Sequence, residues 1–116
     1  MVLDINNTPS IEPETLQGLL KEGYILIDVR EQDEWDAGHH KNAIHLPMGE
    51  IVEKVDNFNN DEKYIFVCRS GARSARVTSF MISKNIESYN LSGGMKQLNN
   101  FSDEIYDLHG NSGQII

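Results

Sequence analysis

Tyr64-Ile65-Phe66-Val67-Cys68-Arg69-Ser70-Gly71-Ala72-Arg73-Ser74 runs from an apolar strand into a helix, and the rest of the chain is arranged around it. Tyr64 to Val67 is a short continuous apolar run with aromatic and β-branched residues, the pattern of a strand buried on both faces of a parallel sheet. From Arg73 onward, Val77, Phe80 and Met81 fall at i, i+3 and i+4, one face of an amphipathic helix. Cys68, the only cysteine, therefore sits at a strand-to-helix turn. Backbone N–H groups in such a turn can point inward, and the positive end of the following helix adds to them. The hollow then favours an anion, and a thiol on its floor favours the thiolate. The four arginines lie in two places, Arg30 and the group Arg69, Arg73 and Arg76, while the six lysines are scattered. In a chain of net charge −8, planar and always-charged side chains gathered around one thiol indicate a built anion site.

Working outward, Met1 to Thr8 offers at best a short edge strand. Ser10-Ile11-Glu12-Pro13 reads as a helix entry, with Leu16, Leu19 and Leu20 on one buried face and Gly23 as the stop. Tyr24 to Ile27 is an apolar strand that puts Asp28 on the same carboxyl edge as Cys68, both facing the expected crevice. Glu31 to Asp36 can form a short acidic helix ended by Gly38, and Ala43 to Leu46 a brief strand closed by Pro47. Ile51, Val55 and Phe58 have helical spacing. Glu87 to Leu91 is the last strand, broken by Gly93-Gly94. Strands alternating with helices imply an α/β fold with a parallel sheet, right-handed crossovers and helices on both faces.

A chain of 116 residues is the size of one domain. Its acidity, with a pI near 4.8, argues against nucleic acid and anionic membrane surfaces as partners. No apolar run approaches the roughly 20 residues of a membrane helix, and Met1 to Ser10 lacks the pattern of a secretory signal. A single free cysteine agrees with a reducing compartment, so the expectation is a soluble, cytoplasmic protein without membrane association. Four histidines raise the question of a metal. His39 and His40 are adjacent and no cysteine accompanies them, so no metal site is expected.

The loop resembles that of the rhodanese family, whose single-domain members carry Cys-Arg-Ser-Gly-x-Arg-Ser between a central strand and a helix. Ile27-Asp28-Val29-Arg30, Glu34-Trp35 and Gly38-His39 look like the family's Asp-Val-Arg, Glu-aromatic and Gly-His signature, and Asn90-Leu91-Ser92-Gly93-Gly94-Met95 like its closing Gly-Gly-Met. In order, these signatures cover roughly residues 10–98. His40-Lys41-Asn42 stands where Ile-Pro-Gly is usual, and Leu98 where a tryptophan is common. The resemblance implies a rhodanese-like, five-stranded, mainly parallel sheet in a single domain over residues 1–100. Residues 101–116 then form a C-terminal extension in which Tyr106, Leu108, Ile115 and Ile116 could dock and His109 to Gln114 reads as flexible.

The activity so implied is sulfur transfer without a cofactor. Cys68 attacks the outer sulfur of a small anionic donor, thiosulfate or a persulfide, and the resulting Cys68 persulfide passes its sulfur to cyanide, a thiol or a sulfur-carrier protein. Arg69 would hold the donor's oxygens, and the amides of the loop Arg69, Ser70, Gly71, Ala72 and Arg73 would cradle the persulfide. Arg73 either binds the donor too or pairs with Asp28. Asp28 and Arg30 read as a structural pair supporting the loop, and Trp35 with Glu34 as packing behind it. Three other readings compete. Free cysteine is commonly an inert buried residue. The cysteine phosphatase and arsenate reductase group places five residues between cysteine and arginine, whereas here there are four, a narrower hollow suited to one sulfur atom. Non-catalytic rhodanese-like interaction modules typically lack the cysteine.

Overall fold

The computed structural model describes Val2–Leu3 and residues 8–116, and the remainder of the expected edge segment lies outside the described residues. In chain order the strands are β1 (Val2–Leu3), β2 (Pro9–Ile11), β3 (Ile25–Asp28), β4 (His39–His40), β5 (Ile44–His45), β6 (Lys63–Val67), β7 (Glu87–Leu91) and β8 (Ile105–Tyr106). The α-helices are α1 (Leu16–Lys21), α2 (Gln32–Ala37), α3 (Ile51–Lys54), α4 (Ala72–Ser83) and α5 (Gly94–Leu98). The main sheet has the order β1-β2-β7-β6-β3-β5. Its five strands from β2 to β5 are parallel, as expected, and β1 is added antiparallel at the edge.

Alternation along the central strands divides the apolar residues between two faces. Leu26, Ile65, Val67 and Leu91 pack on one side with Leu16 of α1 and Met95 and Leu98 of α5. Ile27, Phe66 and Cys68 pack on the other with Ile51 of α3 and Val77 and Met81 of α4. Phe66 and Met81 are wholly buried, each worth about 1.5–3 kcal/mol relative to exposure. In α4 the buried positions are Ser74, Ala75, Val77, Thr78 and Met81, with Phe80 at the margin. The helix ends at Lys84-Asn85, where Asn85 takes the left-handed conformation at φ 64°. Among the described residues no helix is long and apolar enough to cross a membrane.

One expectation is corrected here. Ser10 and Ile11 do not enter a helix but pair in parallel with Asn90 and Leu91, and the helical run starts in a 3-10 turn at Pro13–Thr15 before α1. A pairing with residues 80 positions away overrides the local signal. Within the C-terminal extension, backbone bonds run from Gly113 N to Ile105 O (2.9 Å) and from Gln114 N to Ala37 O (2.8 Å). Gly113 and Gln114 follow β8, which pairs antiparallel with β4 in a small second sheet. That pairing also explains the unusual His40-Lys41-Asn42 turn. His40 is buried, its Nδ1 accepts from Asn42 N at 3.1 Å, and Lys41 Nζ lies 2.9 Å from Glu104 Oε1.

Candidate active site

Strand β6 ends at Val67 and delivers Cys68 to the carboxyl edge of the sheet, where it is 1 % exposed. The loop returns into α4 through Gly71, at φ 115°, a left-handed conformation that a side chain disfavours. Beneath the loop, α5 donates Met95 N to Cys68 O (2.8 Å) and Lys96 N to Arg69 O (3.0 Å). This approach needs Gly94, because a Cβ there would lie 2.5 Å from Arg69 O and 2.6 Å from Cys68 O. The two carbonyls are thereby turned towards α5, and amides of the loop face the other way.

Three donors converge on Cys68 Sγ: Gly71 N at 3.1 Å, Ser74 N at 3.4 Å and Ser74 Oγ at 3.2 Å. Burial alone pushes the thiol pKa up. The Ser74 hydroxyl, followed by the amides of Ser74, Gly71 and Ser70, outweighs it, and the thiol lies below its ordinary value. The arrangement can hold a buried negative charge on sulfur without a metal ion.

Arg69 is half-buried beside the loop, with Nε donating to Ile116 O at 2.8 Å and Nη1 3.5 Å from Ser70 Oγ. Ser70 and Ala72 are exposed on the rim. Arg73 does not pair with Asp28. Its partner is Glu34 on α2, in a two-pronged contact from Nη1 to Oε1 (2.7 Å) and Nη2 to Oε2 (2.8 Å). The Arg73 hydrogen bond holds Glu34 below the usual carboxylate range, and the same pair raises Arg73 further; the Arg73 charge also acts on Cys68. Glu34 thus clamps the far end of the loop instead of packing behind it.

Asp28 does not face the crevice. It is wholly buried and closed by Arg30, which is equally buried, with Nε to Oδ1 at 3.0 Å and Nη2 to Oδ2 at 2.8 Å. Arg30 Nη2 also donates to Gly38 O at 2.6 Å, and Nη1 is buried with no hydrogen-bond partner among the described residues. His45 Nε2 donates to Arg30 O at 2.8 Å. Trp35 is half-buried, stacked on His39 (3.7 Å between centroids) and His45 (4.7 Å).

Two residues outside the expected set belong to the site. Ser74 supplies two of the three donors to Sγ. Asn90, 22 residues beyond the cysteine on β7, accepts from Ser74 Oγ at 2.5 Å through Oδ1 and donates from Nδ2 to Gly71 O at 3.2 Å. Ser74 stood in the quoted loop and Asn90 in the closing signature. Nothing in the polar run Glu87-Ser88-Tyr89-Asn90 singled out Asn90, since its burial against the loop is set by the sheet order.

These features define a class: an α/β protein with a low-pKa thiol cradled by amides where a central parallel strand meets a helix. The Rhodanese-like domain model matches residues 12–100, and the chain belongs to the rhodanese-like family. It is similar to YtwF of Bacillus subtilis (strain 168), 41 % identical over 70 residues that span 60 % of this chain and 68 % of that protein. It is also similar to the thiosulfate sulfurtransferase GlpE of Pseudomonas syringae pv. syringae (strain B728a), 25 % identical over 87 residues, 74 % of this chain and 82 % of that one. Among solved structures, a rhodanese-like domain protein from Staphylococcus aureus superposes with a TM-score of 0.73 at 34 % identity, covering 78 % of this chain and 90 % of that one.

Proposed function

We propose that the protein is a sulfurtransferase that carries a sulfane sulfur as a persulfide on Cys68, with thiosulfate or a small persulfide as donor and cyanide, a thiol or a sulfur-carrier protein as acceptor. The observation that carries this reading is the convergence of Gly71 N, Ser74 N and Ser74 Oγ on a buried sulfur. The Cys68 thiolate attacks the outer sulfur of thiosulfate. A new S–S bond forms, the S–S bond of the donor breaks, and sulfite leaves with the bonding pair, so one negative charge remains on the terminal sulfur of the persulfide. The acceptor nucleophile then takes that sulfur and returns the thiolate. No redox cofactor or metal enters the balance.

Arg69 is assigned to the donor's oxygens, because its guanidinium stands half-buried at the loop rim. Arg73 is engaged by Glu34 and contributes charge and loop geometry. The test is the intact mass before and after thiosulfate, with the gain of one sulfur atom, removable by cyanide, as the expected result. A protein that takes up no sulfur from thiosulfate or from a glutathione persulfide would overturn the reading.

Arg69→Ala separates donor binding from activation of the thiol. A hydrogen bond to a charged group is worth roughly 1.5–3 kcal/mol, so kcat/KM for thiosulfate should fall about ten- to a hundredfold, mainly through KM. The alkylation pKa of Cys68 should stay depressed, because its hydrogen-bond donors come from elsewhere in the loop and from Ser74. An unchanged KM with an ordinary thiol pKa would make Arg69 the activator instead.

A further inference from the structure

Ser74 Oγ carries a single hydrogen and has three acceptors in reach: Asn90 Oδ1 at 2.5 Å, Cys68 Sγ at 3.2 Å and Gly71 O at 3.3 Å. The Asn90 amide is oriented by its other end, where Nδ2 meets the Gly71 carbonyl, so the group presented to Ser74 is an acceptor. Gly71 O is further satisfied by Ala75 N at 3.0 Å, which leaves Asn90 and the sulfur as the two rivals for the hydroxyl hydrogen. The hydroxyl and both rivals are buried, with Ser74 at 0 %, Cys68 at 1 % and Asn90 at 3 % exposure, so water does not replace either partner.

We propose that the Ser74 hydroxyl is a donor with two seats, turned by charge between Cys68 Sγ and Asn90 Oδ1, and that Asn90 is the positioning residue that supplies the second seat. When Sγ is a thiolate the charge draws the hydrogen, since hydrogen bonds to ionised acceptors are about twice as strong as neutral ones. When Sγ is neutral, as a thiol or as the inner sulfur of a persulfide, the hydrogen turns to Asn90. Asn90 therefore stabilises both states in which Sγ is neutral against the thiolate. It tempers the acidity of Cys68 and, because nucleophilicity falls with thiol pKa, keeps the thiolate reactive; it also favours retention of the loaded sulfur. The persulfide half rests on the function proposed above, whereas the acidity half does not.

The test is the pH dependence of Cys68 alkylation by iodoacetamide, a neutral reagent, in the full chain. Ser74→Ala should raise the apparent pKa and Asn90→Leu should lower it by about 0.5 to 1 pH unit, opposite signs at two residues in contact. In the Ser74→Ala background, Asn90→Leu should do nothing, a coupling that a double-mutant cycle reads directly. A purely structural role for Asn90 loosens the amide cradle and raises the pKa in both backgrounds, which would overturn the proposal, as would a fall that persists without Ser74. The charged groups nearest the thiol stay in place throughout: Arg69 in the loop, Arg73 of α4 with Glu34 of α2, and the closed Asp28–Arg30 pair at the end of β3. Asn90→Ala repeats the series if the leucine variant does not fold.

The second arm is the equilibrium between thiosulfate plus thiolate and sulfite plus persulfide, read by intact mass at fixed anion ratios. Asn90→Leu should shift it about three- to tenfold towards the unloaded protein. A normal loading equilibrium overturns the persulfide half. Failure of every variant and the wild type to load sulfur would instead count against the proposed function, while the alkylation arm continues to decide the hydroxyl.

Discussion

Cys68→Ser should take up no sulfur from thiosulfate and transfer none to cyanide. Cys68 is the only thiol in the chain, and a serine hydroxyl in the same cradle stays protonated at neutral pH, so neither the nucleophile nor the persulfide can exist. The substitution is gentle structurally. Gly71 N, Ser74 N and Ser74 Oγ, which converge on Sγ, can still find an oxygen acceptor, so the variant should fold and retain its thermal transition close to that of the wild type. Intact mass after thiosulfate and thiocyanate release in the presence of cyanide measure the loss. Transfer at the wild-type rate by the serine variant would refute the mechanism.

The second large effect falls on stability. Asp28 and Arg30 are both wholly buried, and one Arg30 nitrogen already has no partner among the described residues. Asp28→Ala leaves the guanidinium charge uncompensated in the core, a change that typically costs about 3–5 kcal/mol. That is a large share of the 5–15 kcal/mol by which domains are ordinarily stable, so the thermal midpoint should drop by more than about 10 °C. Replacing the pair together, Asp28→Leu with Arg30→Met, should be less harmful than Asp28→Ala alone, since the cost lies in the orphaned charge. Urea unfolding of the single and double variants checks this. A loss below about 1 kcal/mol for Asp28→Ala would mean that Arg30 finds solvent or another anion.

The strands were readable where a residue's own neighbourhood decided its state. The run ending at Val67 is apolar on both faces because both faces are covered, and Glu87–Leu91 lies between the turns at Lys84-Asn85 and Ser92-Gly93. Ser10 and Ile11 were misread because their state depends on Asn90 and Leu91, which lie far away in sequence. Residues 105–114 have no periodicity of their own. They take their place only because β4 and the end of α2 offer unpaired backbone groups.

The same division runs through the site. Sequence alone determined that one cysteine stands between a central strand and a helix, with arginines around it and four residues separating it from Arg73, because each of these is a matter of residue type and local spacing. Tertiary structure decided which partner each charge takes. Arg73 turned to Glu34 and not to Asp28, Asp28 closed on Arg30, and Gly93-Gly94, legible as the end of a strand, became the base on which the loop carbonyls rest. It also decided that the Ser74 hydroxyl stands within reach of both Asn90 and the sulfur. Side chains from α2, β7 and α5 meet the loop only once the parallel sheet has ordered the strands, and a hydrogen bond falls off within a fraction of an ångström, a distance that no spacing along the chain encodes.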